Sequence, residues 1–302
     1  MRALAAGAVA STTVPVLLNR RAGTATDVAR LREAFAEAGI DAAVSALDSG
    51  EDPRELARRA LEKRPAILVA AGGDGTVNAV ADAVRGTDTA LGIVPAGTLN
   101  HFARDLGIAL DPLEAVRTIA AGRTMLVDVG EVNGACFLNN ASLGLYPGIV
   151  RERERQQRRL RRSKRAAMLW ATLAVLQRPP LLELRLELDE RVHDCRAPFV
   201  FVGNNDYQLE GFDIGKRAQL DAGMLNVYTT RSYSAVGLVA LALRAIFGRL
   251  RQADDFLESS ARSLHVESRR RRLLVATDGE VRAMQTPLDF RIRPRSLKVL
   301  VP

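Results

Sequence analysis

Cysteine, histidine and tryptophan are scarce in this 302-residue chain: two, three and one respectively, with 5% aromatic residues in all. Cys136 and Cys195 lie far apart and form no CxxC pair. That excludes a disulfide framework and a cysteine zinc site, and it suits a reducing cytoplasm. His101, His193 and His265 are equally scattered and read as surface or core residues rather than metal ligands. Long apolar runs are also missing. The longest, AVGLVALALRAIFG at 235–248, contains Arg244 and falls short of the roughly 20 residues a bilayer span needs. A buried or interfacial helix is expected there, and no transmembrane segment. The start, MRALAAGAVASTTVPVLLNRR, has no strong apolar region of the signal-peptide kind and leads into a first strand.

Two common nucleotide motifs are absent as well. No GxxxxGK[ST] loop occurs, because GFDIGKR (211–217) is one residue too short between its glycines and ends in Arg217. GxGxxG fails because Asn78 stands where the third glycine would follow Gly73 and Gly75.

What is present is an ordinary globular composition, 47% hydrophobic with mixed charge, on a chain longer than one core normally supports. Two domains are expected. The net charge of +8 is concentrated: RERERQQRRLRRSKR (151–165) holds nine basic and two acidic residues, leaving the remainder close to neutral. Charge confined to one segment does not read as a nucleic-acid surface. The segment continues into AAMLWATLAVLQRPP, where Ala166, Leu169, Trp170, Leu173 and Leu176 share a helical face and Pro179 ends the helix. Residues 151–176 therefore carry two readings: an element that docks on an anionic membrane surface, or a solvated charged helix packing its apolar face on its own domain. A second basic cluster, Arg269 to Arg272, has no assigned place.

The first 120 residues alternate strand and helix patterns. VPVLLN, DAAVSAL, AILVAAGG and ALGIVP read as strands. Between and after them, DVARLREAFAEAG, DPRELARRALEK (started by Asp52 and Pro53), residues 75–84 and DPLEAVRTIAAG read as helices. The alternation predicts an α/β, doubly wound parallel-sheet domain over 1–125. Strand-like pieces then dominate, predicting a β-rich domain of sandwich or split-barrel type over 126–302, with the last residues able to return to the first domain.

Three loops at strand ends combine Gly with Thr or Asn: NRRAGT (19–24), GGDGTVN (72–78) and PAGTLNHF (95–102). In parallel sheets, ligands sit outside the carboxyl ends of the strands, and such loops suit phosphate at a helix start. Asp74 would repel a bare phosphate. A magnesium ion between them removes the conflict, since carboxylate plus phosphate is its usual environment, and the pairing points to phosphoryl transfer. The plainer alternative makes Asp74 a helix N-cap. TDGE (277–280) likewise has a plain reading as a hairpin turn.

GGDGTVN followed by PAGTLNHFARDLGI resembles the diacylglycerol kinase catalytic-domain family, in particular its bacterial soluble lipid kinases, with sphingosine and ceramide kinases and, further off, NAD kinases as relatives. LLNRRAGT, FLNNASLGL (137–145), FVGNN (201–205), AQLDAGMLNV (218–227) and TDGE extend the likeness over nearly the whole chain. The resemblance implies an NAD kinase/diacylglycerol kinase-like fold. It also implies an ATP- and magnesium-dependent kinase acting on a lipid hydroxyl, with diacylglycerol as the default acceptor and the lipid between the domains. By the same likeness, Asp74 engages the phosphates through magnesium. Gly72, Gly73, Gly75, Thr76, Gly97, Thr98 and Asn100 line the nucleotide pocket with Asn19 and Gly23, and Glu280 is the general base. The family's DDGxL motif, tied to a second, structural magnesium, reads DAGML here: Asp221 remains and Ala222 supplies no carboxylate. Arg20, Ala79 and His101 also depart from the family's usual Pro, Glu and Asp. Sphingoid bases, ceramide and phosphatidylglycerol stay open as acceptors, NAD kinase as a rival enzyme, and a nucleotide-binding lipid sensor as a rival without catalysis. The expected setting is the cytoplasm with peripheral membrane association, with a homodimer left open.

Overall fold

The computed structural model describes residues 13–20, 28–48, 50–160, 164–177, 179–206, 217, 219–231, 234–247 and 256–302. They fall into two compact units, Met1–Leu126 with Leu297–Pro302, and Val127–Ser296.

The first unit alternates β1 (Val14–Leu18), α1 (Val28–Glu37), β2 (Ala42–Ala46), α2 (Pro53–Leu61), β3 (Ile67–Gly72), α3 (Asp74–Val84), β4 (Ala90–Pro95), α4 (His101–Asp105) and α5 (Pro112–Ala121). The strands run parallel in the order β2-β1-β3-β4. Leu68, Val69 and Ala70 in β3 and Leu91, Ile93 and Val94 in β4 are buried, as strands covered on both faces must be. Helix α1 packs with α5, and α2 with α3. Both α2 and α5 begin with an Asp–Pro pair: the Asp52 carboxylate accepts from the Arg54 N–H, and Asp111 from Leu113 and Glu114. The strand order reverses between β1 and β3, so the loops leaving these two strands open the crevice where such sheets bind ligands.

The second unit is a β-sandwich with a helical layer. Its strands are β5 (Thr124–Val132), β6 (Ala135–Phe137), β7 (Asn140–Gly144), β8 (Leu182–Leu188), β9 (Arg191–Ala197), β10 (Phe199–Asn204), β11 (Leu225–Thr230), β12 (Phe256–Ala261), β13 (Ser263–Ser268), β14 (Arg272–Thr277), β15 (Glu280–Gln285) and β16 (Leu288–Leu300). One antiparallel sheet runs β12-β11-β10-β7-β14-β15, and β13 pairs with β8 and β16 in the other. Strict alternation in LELRLEL buries Leu182, Leu184, Leu186 and Leu188 against Leu143, Val202, Val227 and Val275 of the facing sheet. Phe137 and Phe290 meet edge to face in the same core, with ring centroids 6.5 Å apart. Strand β16 also carries the chain back to the first unit, where Val299 pairs parallel with Leu91 of β4.

The basic segment forms two helices rather than one, α6 (Leu145–Leu160) and α7 (Lys164–Gln177), packed against each other. The 235–248 run forms α8 (Ala235–Ile246), which α7 contacts. Among the described residues no helix is long and apolar enough to cross a membrane.

Candidate functional site

In the first unit, Asn19, Gly72–Thr76 and Gly97–Asn100 form one hydrogen-bonded assembly. The Asn19 N–H donates to Ala71 O (2.9 Å), and its side-chain amide donates to Thr76 Oγ1 (2.9 Å), tying the loop after β1 to the start of α3. The loops after β3 and β4 approach backbone to backbone. A Cβ added to Gly97 would lie 2.5 Å from Gly73 Cα, a separation no side chain tolerates. Glycine at both places lets main-chain N–H groups line a surface with no side chain above them.

Asp74 is not the N-cap of α3. Gly73 takes that position and makes no side-chain cap, while Asp74 is the first helical residue. Its Oδ2 instead accepts the Asn100 N–H at 3.0 Å. Asn100 is buried in the left-handed region (φ 53°, ψ 46°), where asparagine is among the residues that fit best. Its Oδ1 accepts from Gly97 N and its Nδ2 donates to Gly97 O, both at 2.9 Å. Asn100 therefore fastens the second glycine loop to the acid of the first. Thr98 is exposed beside it. Gly23 lies outside the described residues.

A strain test follows from this contact. Gly97→Ala is expected to push the two loops apart, costing about 1–3 kcal/mol as overpacking does. ATP affinity should fall with it, whereas alanine at Gly86, whose added Cβ meets nothing, costs only its own backbone strain at φ 73°. Paired thermal melts and ATP titrations of the two variants check it.

In the second unit, TDGE forms a tight hairpin: Asp278 and Gly279 both have positive φ (46° and 86°), and Thr277 and Glu280 face each other across β14 and β15. The turn is more than a connection. The enclosed Asp278 carboxylate accepts from the backbone N–H groups of Leu138, Asn139 and Asn140 at 2.7, 2.8 and 3.0 Å. Burial pushes its pKa above the ordinary carboxylate value, against the pull of those three bonds and the Arg217 charge. Buried Arg217 in turn donates to Leu138 O and to Asn139 Oδ1. This network pins the FLNNAS stretch to the turn that presents Glu280. Glu280 is exposed, with Oε2 accepting from Arg282 Nη2 at 2.7 Å. The Tyr146 hydroxyl stands beside the turn, 3.7 Å from where a Gly279 Cβ would be. No local sequence signal links TDGE to FLNNAS, so the Asp278 and Arg217 network is visible only in the folded chain.

Asp221 is exposed, and the DAGML turn is held without it: the Gly223 N–H donates to Asp128 Oδ2 at 2.6 Å, while Asp128 Oδ1 accepts from the Arg295 N–H at 2.7 Å. Among the described residues no cluster of three or more His, Cys, Asp or Glu could hold a metal. One exposed carboxylate does not fit a structural magnesium. At the loops after β3 and β4 the requirement would be lower, because a magnesium ion arriving with phosphates needs only one or two protein carboxylates, and Asp74 beside the paired glycines fits that.

Comparison with known proteins agrees with both units. Residues 13–132 match the diacylglycerol kinase catalytic domain, and residues 146–301 match the YegS C-terminal NAD kinase beta sandwich-like domain. A diacylglycerol kinase of Bacillus subtilis is 26% identical over 285 residues, covering 91% of this chain and 90% of its own length. One from Staphylococcus aureus (strain bovine RF122 / ET3-1) is 26% identical over 269 residues, covering 88% and 84%. The crystal structure of a diacylglycerol kinase from Bacillus anthracis shares the fold, with a TM-score of 0.69 at 20% identity over 96% of this chain and 97% of that one. The fold and loops thus define an α/β kinase domain joined to a β-sandwich. The chain belongs to the diacylglycerol kinase family with the YegS-type C-terminal domain, and it is a lipid kinase. The family implies ATP as phosphoryl donor.

Proposed function

We propose that the protein transfers the γ-phosphoryl group of ATP to the hydroxyl of diacylglycerol, giving phosphatidic acid. The observation that carries this is the backbone contact of Gly73 with Gly97 around Asp74, a phosphate cradle with an acid fixed at its edge. Gly73 and Gly75 supply main-chain N–H groups to phosphate oxygens at the start of α3, where Gly72 and Gly97 keep the surface free of side chains, aided by the hydroxyls of Thr76 and Thr98 and by Asn19, with Gly23 assigned from the sequence. Asn100 acts through Gly97 and Asp74, since its side chain is engaged within the loop. Asp74 would hold magnesium together with the phosphates, and the ion would supply charge neutralisation for the transferring group. Glu280 takes the proton of the lipid hydroxyl as its oxygen bonds to phosphorus and the bond to ADP breaks. Diacylglycerol as acceptor rests on the relatives' names.

The deciding experiment incubates the protein with radiolabelled ATP, magnesium and a total lipid extract, and identifies the labelled product by mass spectrometry. Label in phosphatidic acid is expected. Label in another lipid would replace the acceptor, and label on NAD without labelled lipid would sink the reading.

A further inference from the structure

Helix α8 is anchored on one side and apolar on the other. Leu238 and Leu241 are buried against Leu145, Leu176, Phe199 and Phe256. Val236, Val239, Leu243 and the following Phe247, spaced at helical intervals along one stripe, are 80%, 45%, 51% and 72% exposed. The neighbouring α7 repeats the pattern, with Ala167 and Ala171 buried while Trp170 and Leu173 are exposed. Of the described large side chains on the face read as packing on its own domain, Leu176 packs on the α8 cluster while Trp170 and Leu173 stay exposed. Of the twelve large hydrophobic residues exposed among the described residues, seven lie on α7, α8 or at Phe247, on two helices that touch each other.

We propose that the α8 stripe, with Trp170 and Leu173 of α7, inserts into the headgroup region of an anionic lipid bilayer. Charge selects this occupant. Helix α7 also packs on α6, where Arg151 and Arg155 are exposed beside Glu154, and in the sequence the stretch 151–165 that leads from one helix into the other carries nine basic residues against two acidic ones. Exposed apolar side chains on α8 and α7, a tryptophan among them, next in sequence to a strongly basic segment have the composition of an interfacial membrane element. A second copy of this chain would bring like charge to like charge. The proposal rests on the lipid-kinase reading for why a bilayer is the relevant surface, but its test needs no turnover.

Trp170 is the only tryptophan, so its emission reports on this patch alone. Vesicles of phosphatidylglycerol and phosphatidylcholine, added without nucleotide, should shift it to the blue, and acyl chains brominated near the headgroup should quench it. Pure phosphatidylcholine should bind less, and added salt should weaken anionic binding. The triple variant Val239→Ser, Leu243→Ser, Phe247→Ser should bind anionic vesicles at least about tenfold more weakly. Its thermal melt and its activity on detergent-dispersed lipid should stay unchanged. Vesicle affinity equal to that of the unaltered protein would overturn the proposal, as would unchanged Trp170 emission on bound protein. A variant that changes from dimer to monomer while keeping its vesicle affinity would assign the stripe to self-association instead. Failure of the unaltered protein to phosphorylate any lipid would count against the kinase reading, and vesicle binding would still decide this one.

Discussion

Glu280→Gln is expected to lower kcat by about 10²–10⁴-fold, the usual worth of a positioned general base. Glutamine keeps the length of the side chain and an oxygen for Arg282, but it cannot take up the hydroxyl proton. The Glu280–Arg282 pair is exposed on a hairpin, so its loss should hardly move the melting temperature. That separates a catalytic defect from a folding one. ATP binding, measured by calorimetry, should persist, because the proposed phosphate loops belong to the other unit. Asp74→Asn should instead raise the magnesium requirement together with its loss of activity. Near-normal turnover by the Glu280 variant on detergent-dispersed diacylglycerol would remove that residue from the base role.

Asp278→Ala should act on stability. The variant strands three backbone N–H groups, each costing about 1–3 kcal/mol when buried without an acceptor. Relief of the carboxylate's own desolvation offsets part of this, leaving a loss of about 3 kcal/mol and a fall of roughly 6–12 °C in Tm. The pH dependence has a definite sign. Asp278 has a raised pKa in the folded state, so the native protein binds its proton more readily than the unfolded chain does. Its contribution is fully present below the ordinary carboxylate pKa and is lost as pH rises through the raised value. The gap between wild type and variant should therefore widen as pH falls from neutral toward 4. Denaturant melts at several pH values check this, and a gap that narrows on acidification would mean that the backbone bonds outweigh desolvation.

The elements legible beforehand were those whose signal is local. The continuous apolar runs gave β3 and β4, the alternation of LELRLEL gave β8, and Asp–Pro pairs marked the starts of α2 and α5. Strand β9, RVHDCRA, was missed because six of its seven residues are not buried and it shows no alternation; its pairing with β8 makes it a strand. Residues 280–285 were missed as β15 for the same reason. The short α4 and the division of the basic segment into α6 and α7 were not foreseen either.

By itself the sequence determined the α/β-then-β order, the three glycine loops and the single charged segment, because burial periodicity, turn chemistry and charge are written within a few residues of one another. The tertiary structure alone decided what Asp74 does. Its carboxylate could cap its own helix or reach 26 residues onward to Asn100, and only the adjacency of β3 and β4 settles that choice. The same holds for Asp278, whose partners lie some 140 residues earlier and meet it because β7 pairs with β14. Exposure of the α8 stripe belongs to this class too: an apolar run reads alike whether a sheet or solvent covers it, and only the packing of Leu238 and Leu241 shows which side faces out.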